Sequence, residues 1–262
     1  MATAIFGSPL QSIEGETASL TTTASYLLVK PGFHEVKLYS ASQWRMALSP
    51  TLLHCLYYDT SAGTYTEYKT EATDRVSTTH VPLDAMPHGA TGDWLYMGTS
   101  DQVLGYYFNI DGSNKNDNAA TLDMEYCSTA VAAGTPSAGR TAIAFTDVGG
   151  SDSDGTDSSG DTLKQDGVYT WGTAPGTAWV ESPLGTYDAQ LYSKCYWIRF
   201  RPSATLSAAV DIVDLIPVYK NTDYAYMEPG IEYQFSLNVA KVGAFVLLGT
   251  TTQTLDVSWI RH

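Results

Sequence analysis

The densest run of chemistry-bearing residues lies between Asp147 and Asp166. Six aspartates (147, 152, 154, 157, 161 and 166) stand among glycine and serine, and only Lys164 offsets them. Carboxylate oxygens are hard ligands suited to calcium. Asp152-Ser153-Asp154-Gly155 resembles the start of a calcium loop. An EF-hand loop needs glycine at its sixth position and a bidentate glutamate at its twelfth; counted from Asp152, these are Asp157 and Leu163. The EF-hand pattern therefore fails, and Asp152, Asp154 and Asp157 are left as candidate calcium ligands against the favoured reading of a solvated acidic loop.

Other chemistry is sparser. His34, His54, His80, His88 and His262 do not pair at ligand spacing, and the adjacent His54 and Cys55 point oppositely on a strand. No zinc site follows. Asp123 and Glu125 are two apart and share a strand face. Such carboxylates serve a glycosidase only when they face each other across a cleft, so surface residues are the competing reading. No Gly-x-Ser-x-Gly, His-Glu-x-x-His or Walker pattern occurs. No catalytic and no cofactor-binding residue is assigned. Tyr57-Tyr58, Tyr106-Tyr107, Trp171, Trp179 and Trp197 could stack on sugars, or could fill a core.

The elements that must position these residues read as strands. Cys195-Tyr196-Trp197-Ile198-Arg199-Phe200-Arg201 puts Tyr196, Ile198 and Phe200 on one face, toward a core. Cys195, Trp197, Arg199 and Arg201 fall on the other, which suits a partly covered surface where arginine stacks on a ring. Leu122, Met124 and Tyr126 alternate in the same way. Further strands are expected at 26–29, 33–39, 43–48, 52–58, 65–68, 76–83, 93–98, 103–110, 141–145, 211–218, 232–239, 244–248 and 254–260. Loops fall at 111–118, 128–140 and 182–188. No helical period holds over a useful length, so the pattern predicts an all-β sandwich or barrel.

The totals bound the function. A chain of 262 residues with 44% hydrophobic content makes one large or two ordinary domains. Only 16% of residues are charged, and 18 are tyrosine, a composition that fits a surface ending against other proteins. A net charge of −14 argues against nucleic-acid binding. Cys55, Cys127 and Cys195 are odd in number and widely spaced, so buried thiols and assembly in a reducing cytoplasm are expected. The N-terminus lacks the pattern of a signal peptide, and no run approaches a membrane span. Residues 1–25 are small and polar and read as an extended arm.

One ordered set of segments resembles a known family. It runs Asp93-Trp94-Leu95-Tyr96-Met97-Gly98, Tyr106-Tyr107-Phe108, Leu122-Asp123-Met124-Glu125-Tyr126, Asp166-Gly167-Val168-Tyr169-Thr170-Trp171, Trp179 and Tyr196-Trp197-Ile198-Arg199-Phe200. The set is similar to a β-sandwich module of structural proteins in tailed bacteriophages, including head decoration (cement) and tail-associated proteins. The resemblance implies a jelly-roll-like sandwich over residues 92–216, with Trp94, Tyr96, Leu122, Met124, Tyr126, Trp171, Tyr196, Ile198 and Phe200 as its core signature. The family's Trp-Asn-Gly after the Glu-Tyr strand is replaced here by Cys127-Ser128-Thr129-Ala130. The sandwich is expected to be inserted in, or to lie beside, a smaller β domain made of 26–90 with 217–262. The expected role is non-enzymatic: a protein on the virion head, bound to the major capsid protein and to itself as a trimer, without cofactor, nucleic acid or membrane. The alternative is a tail or fibre module that binds host glycans through the aromatic clusters.

Overall fold

The computed structural model describes residues 12–22, 25–29, 33–74, 76, 78–89, 92–130, 144–149, 152–171, 175–184, 186–187, 190–191, 194–219, 225–237 and 244–261. Among them every regular element is a strand, apart from one 3-10 turn at Gly176–Ala178. In chain order the strands are β1 (Ser12–Leu20), β2 (Ser25–Leu28), β3 (Glu35–Tyr39), β4 (Trp44–Ser49), β5 (Leu52–Asp59), β6 (Thr64–Glu67), β7 (Val81–Pro82), β8 (Trp94–Thr99), β9 (Val103–Ile110), β10 (Leu122–Thr129) and β11 (Ala144–Asp147). They continue with β12 (Ser153–Asp154), β13 (Gly167–Thr170), β14 (Glu181–Ser182), β15 (Thr186–Tyr187), β16 (Gln190–Leu191), β17 (Cys195–Pro202), β18 (Asp211–Tyr219), β19 (Ala225–Met227), β20 (Glu232–Ser236), β21 (Ala244–Gly249) and β22 (Gln253–Arg261). The chain is all-β and sandwich-like.

It divides into two compact units. Met1–Ser49 and Asn221–His262 form a terminal unit, and Pro50–Lys220 forms a central one. The boundary corrects the expected 26–90 segment. Residues 50–90 belong to the central unit, because β5 and β6 extend its sheet beside β8. Residues 12–20 are likewise not a free arm. They pair with β22 from Ser12↔Arg261 to Leu20↔Gln253 without a break. The expectation failed there because the partner lies at the other end of the chain, and a polar edge strand carries little hydrophobic signal of its own. Of the rest of the arm, residues 1–11, 23 and 24 lie outside the described residues.

The terminal unit has two antiparallel four-stranded sheets, ordered β1-β22-β3-β20 and β19-β4-β21-β2. Strand alternation sends Val36, Leu38, Leu255, Val257 and Trp259 of the first sheet into one cluster with Trp44, Met46, Phe245 and Leu247 of the second.

The central unit pairs a seven-stranded sheet, β11-β10-β17-β8-β5-β6 with β14 joined to β17, and a five-stranded sheet, β12-β13-β9-β18-β7. Leu95, Met97, Leu122, Met124, Ile198 and Phe200 share one core with Tyr106, Phe108, Ile212 and Leu215. Phe108 meets Phe200 edge to face at 5.9 Å, which ties one sheet to the other. Each such buried side chain contributes about 2–3 kcal/mol of transfer free energy. Gly105 is required where β9 meets β13: a Cβ there would lie 1.9 Å from the Tyr169 carbonyl oxygen. The expected 76–83 strand shrinks to Val81–Pro82, since Pro82 has no N–H to extend the ladder.

Candidate functional site: an arginine–aromatic sheet face

The seven-stranded sheet has a second, outward face. Residues opposite each other in an antiparallel ladder share a face. Tyr58 is opposite both Trp94 and Tyr65, Tyr96 is opposite Arg199, Arg199 opposite Glu125, Arg201 opposite Asp123, and Cys127 opposite Phe145. One surface therefore collects side chains from β5, β6, β8, β10, β17 and β11.

Arg199 is its centre. The guanidinium lies 3.8 Å from the Trp94 ring centroid and 4.2 Å from that of Phe145. Its Nε donates to Glu125 Oε2 at 2.7 Å, and Nη1 donates to the Tyr96 hydroxyl at 3.2 Å. Arg201 also lies over Trp94, at 4.5 Å, and donates to the Gly89 carbonyl at 2.9 Å. Tyr58, Tyr65 and Tyr96 extend the aromatic field, with Tyr58 and Tyr65 centroids 4.6 Å apart. Burial raises the Tyr96 hydroxyl pKa, and Arg199 opposes that shift. Burial also raises the Asp123 carboxyl, with Arg201 pulling it back. Asp123 and Glu125 are thus partners of arginines, as expected of surface residues, and not an acid–base pair across a cleft.

The core signature is split between the two faces. Leu122, Met124, Trp171, Ile198 and Phe200 are buried in the core, whereas Trp94 and Tyr96 are buried on the outward face beneath the arginines. Tyr126 and Tyr196 are only half-buried. The expected faces of β17 therefore need correction. Trp197 and Cys195 are fully buried on the face read as a partly covered surface, so its cover is more complete there than expected. Trp197 Nε1 donates to the Ser182 carbonyl at 2.7 Å, its own carbonyl accepts from Trp179 Nε1 at 3.0 Å, and His54 stacks on its ring at 5.6 Å. A Cβ on Gly98 would come within 2.9 Å of that ring. The ring fills the space left by a glycine on the neighbouring strand and is held by a carbonyl of β14, which pairs beside β17; alternation within β17 cannot reveal either.

The sugar platform is excluded at four of the seven aromatics named for it. Trp171, Trp179, Trp197 and Tyr106 are at most 2% exposed, so no sugar ring can stack on them. Of the aromatic pairs singled out, Tyr58 does reach the outward face; Tyr65 and Phe145 join it there, although neither stood out in the sequence.

The acidic loop is tied down by its own carboxylates. Asp154 Oδ1 accepts from the Thr156 N–H at 2.8 Å, and Oδ2 accepts from the Thr162 hydroxyl at 2.5 Å. Asp157 accepts from Gly160 N–H at 3.2 Å, and Asp152 accepts from the Tyr169 hydroxyl. Lys164 is held by Asp117 and Asp161. Thr156, Thr162 and Leu163 are fully buried, so the carboxylates fold the loop around them. Among the described residues, no three His, Cys, Asp or Glu side chains gather as a metal site. The histidines lie apart: His54 with Glu67, His80 with Asp211 and His88 with Thr205.

All three cysteines are buried thiols outside any disulfide. Burial pushes the Cys127 thiol up to about 11, and holds Cys55 and Cys195 well above the ordinary range. In the native protein at pH 8, none will react with Ellman's reagent over minutes, whereas all three will react in denaturant. The same groups make the fold sensitive to alkali. Unfolded thiols ionise from about pH 8.5 while folded ones stay protonated, so stability falls as pH rises, by about 1.4 kcal/mol per unit for each thiol. The Cys127 contribution will be lost by about pH 11. Urea midpoints measured between pH 7 and 10.5 check the slope.

No protein-family model matches the chain, and no curated protein matches it.

Proposed function

We propose that this chain is a non-enzymatic structural protein of a tailed-phage virion, which decorates the outer head surface and cements joints between capsomers. The observation that carries the reading is an asymmetry between the units. The central unit holds 21 acidic and 9 basic residues, a net −12, whereas the terminal unit holds 7 and 5, a net −2. Of the six exposed large hydrophobics among the described residues, Ile13, Tyr39, Leu48, Tyr226 and Ile231 belong to the terminal unit and only Val76 to the central one. A nearly neutral unit with exposed apolar side chains suits attachment, and a strongly acidic one repels its like and stays in solvent. The ordered segments that resemble the phage module all lie within Pro50–Lys220, which adds support. The polar clusters of the central unit are engaged in folding it, which accords with a structural role.

Cementing acts by mass action: a protein that binds only the assembled shell stabilises that state. The test is co-sedimentation with expanded, undecorated heads of the parent phage. Saturation at hundreds of copies per head, with raised resistance of the heads to heat, is the expected result. A handful to dozens of copies located at the tail would replace this reading with the tail-associated one.

A further inference from the structure

The terminal unit presents a face that its own core does not use. By alternation, Ile13 of β1, Ile260 and Ser258 of β22, Glu35, Lys37 and Tyr39 of β3, and Glu232 and Gln234 of β20 point away from the Trp44–Trp259 core. A groove of about 410 Å³ runs across this face. Its apolar end is formed by Ile13 and Ile260, and its polar end by Glu35, Lys37, Glu232 and Gln234. Ile260 is 4% exposed and makes a floor, while Ile13 is 63% exposed and makes a rim. The polar end is held in place: Lys37 Nζ bonds Glu232 at 2.8 Å, and Gln234 Nε2 donates to Glu35 at 2.6 Å. Asp256, opposite Tyr39, is exposed. Glu35, Glu232 and Asp256 against Lys37 leave the face net −2.

Resting on the virion reading, we infer that this face is the shell-docking surface, and that its occupant is a segment of the shell subunit pairing an aliphatic side chain with a lysine or arginine. The aliphatic group fits against Ile13 and Ile260, and the cation meets the acidic end. Charge decides against a second copy of this chain as occupant. A two-fold contact of the face with itself would set −2 against −2, and like charges across an interface are unfavourable.

The test uses full-length protein and expanded, undecorated heads, with Ile13→Asp, Glu232→Lys and, as a control on the central unit, Val76→Asp. All three positions are exposed, and unchanged near-ultraviolet circular dichroism confirms folding. Ile13→Asp should weaken binding by about tenfold or more, as for a buried apolar anchor. Glu232→Lys should weaken it several-fold and flatten its salt dependence. Val76→Asp should change it less than about twofold. Wild-type binding with an unaffected Ile13→Asp variant overturns the docking face while leaving the virion reading intact. Absence of wild-type binding overturns both.

Discussion

Replacing Trp197 by alanine will lower the unfolding free energy of the central unit by about 3–5 kcal/mol, the range for a large aromatic lost from a packed interior. The indole is wholly buried between His54, Gly98 and β14. Its loss opens a cavity and leaves the Ser182 carbonyl, which now accepts its N–H at 2.7 Å, without that donor. Trp197→Phe isolates the second effect. It keeps most of the volume and should cost about 0.5–1.5 kcal/mol, the net worth of one hydrogen bond. Gly98 gives a coupled readout. Gly98→Ala alone forces a methyl to within 2.6 Å of Cys195 Sγ and 2.9 Å of the Trp197 ring, whereas in the Trp197→Ala background the ring is gone and the penalty should shrink. Urea unfolding followed by tryptophan fluorescence and circular dichroism measures all four proteins. A Trp197→Ala midpoint equal to wild type would mean that the ring is not packed as described.

Arg199→Met is expected to cost about 2–3 kcal/mol, summing a cation–π contact and a charge-assisted hydrogen bond to a carboxylate. The Arg199 and Glu125 side chains are 21% and 20% exposed, so solvent screens them only in part. The larger consequence is local. The guanidinium touches β8 through Trp94 and Tyr96, β10 through Glu125 and β11 through Phe145. Without it, β11 loses its anchor, and amide hydrogen exchange at residues 144–147 should quicken well before global unfolding. Arg199→Lys separates charge from shape. Lysine keeps the charge but cannot stack as a plane or reach two acceptors as a fork, so it should restore less than half of the loss. A lysine variant as stable as wild type would show that charge alone matters. A double-mutant cycle with Glu125→Gln should return a coupling of about 1–2 kcal/mol.

These two residues sit next but one to each other on β17, and they mark where reading the sequence succeeds and where it stops. An aromatic beside two arginines was legible as a partly covered, stacking face, because period-2 alternation is a property of the strand itself. The identity of the stacking ring was not. Trp94 comes from β8, which pairs with β17 across about a hundred positions of sequence. The aspartates of the 147–166 loop were legible as a composition break, but calcium chemistry and hydrogen bonding use the same carboxylate oxygens. Only the placement of Thr156 and Thr162 shows the second use.

What the sequence determined by itself is the all-β class, most strand positions, the buried thiols and the acidic balance, since each follows from residue type and local periodicity. The pairing of strands came from the tertiary fold alone: β1 with β22, β5 beside β8, and β14 beside β17. That pairing moved residues 50–90 into the central unit, turned Trp171, Trp179 and Trp197 from candidate sugar platforms into core, and put Ile13 beside Ile260. The physical reason is common to all three. A strand's neighbours and cover are supplied by segments far away in the chain, and the energy of burying them is not encoded in the local alternation that reveals the strand.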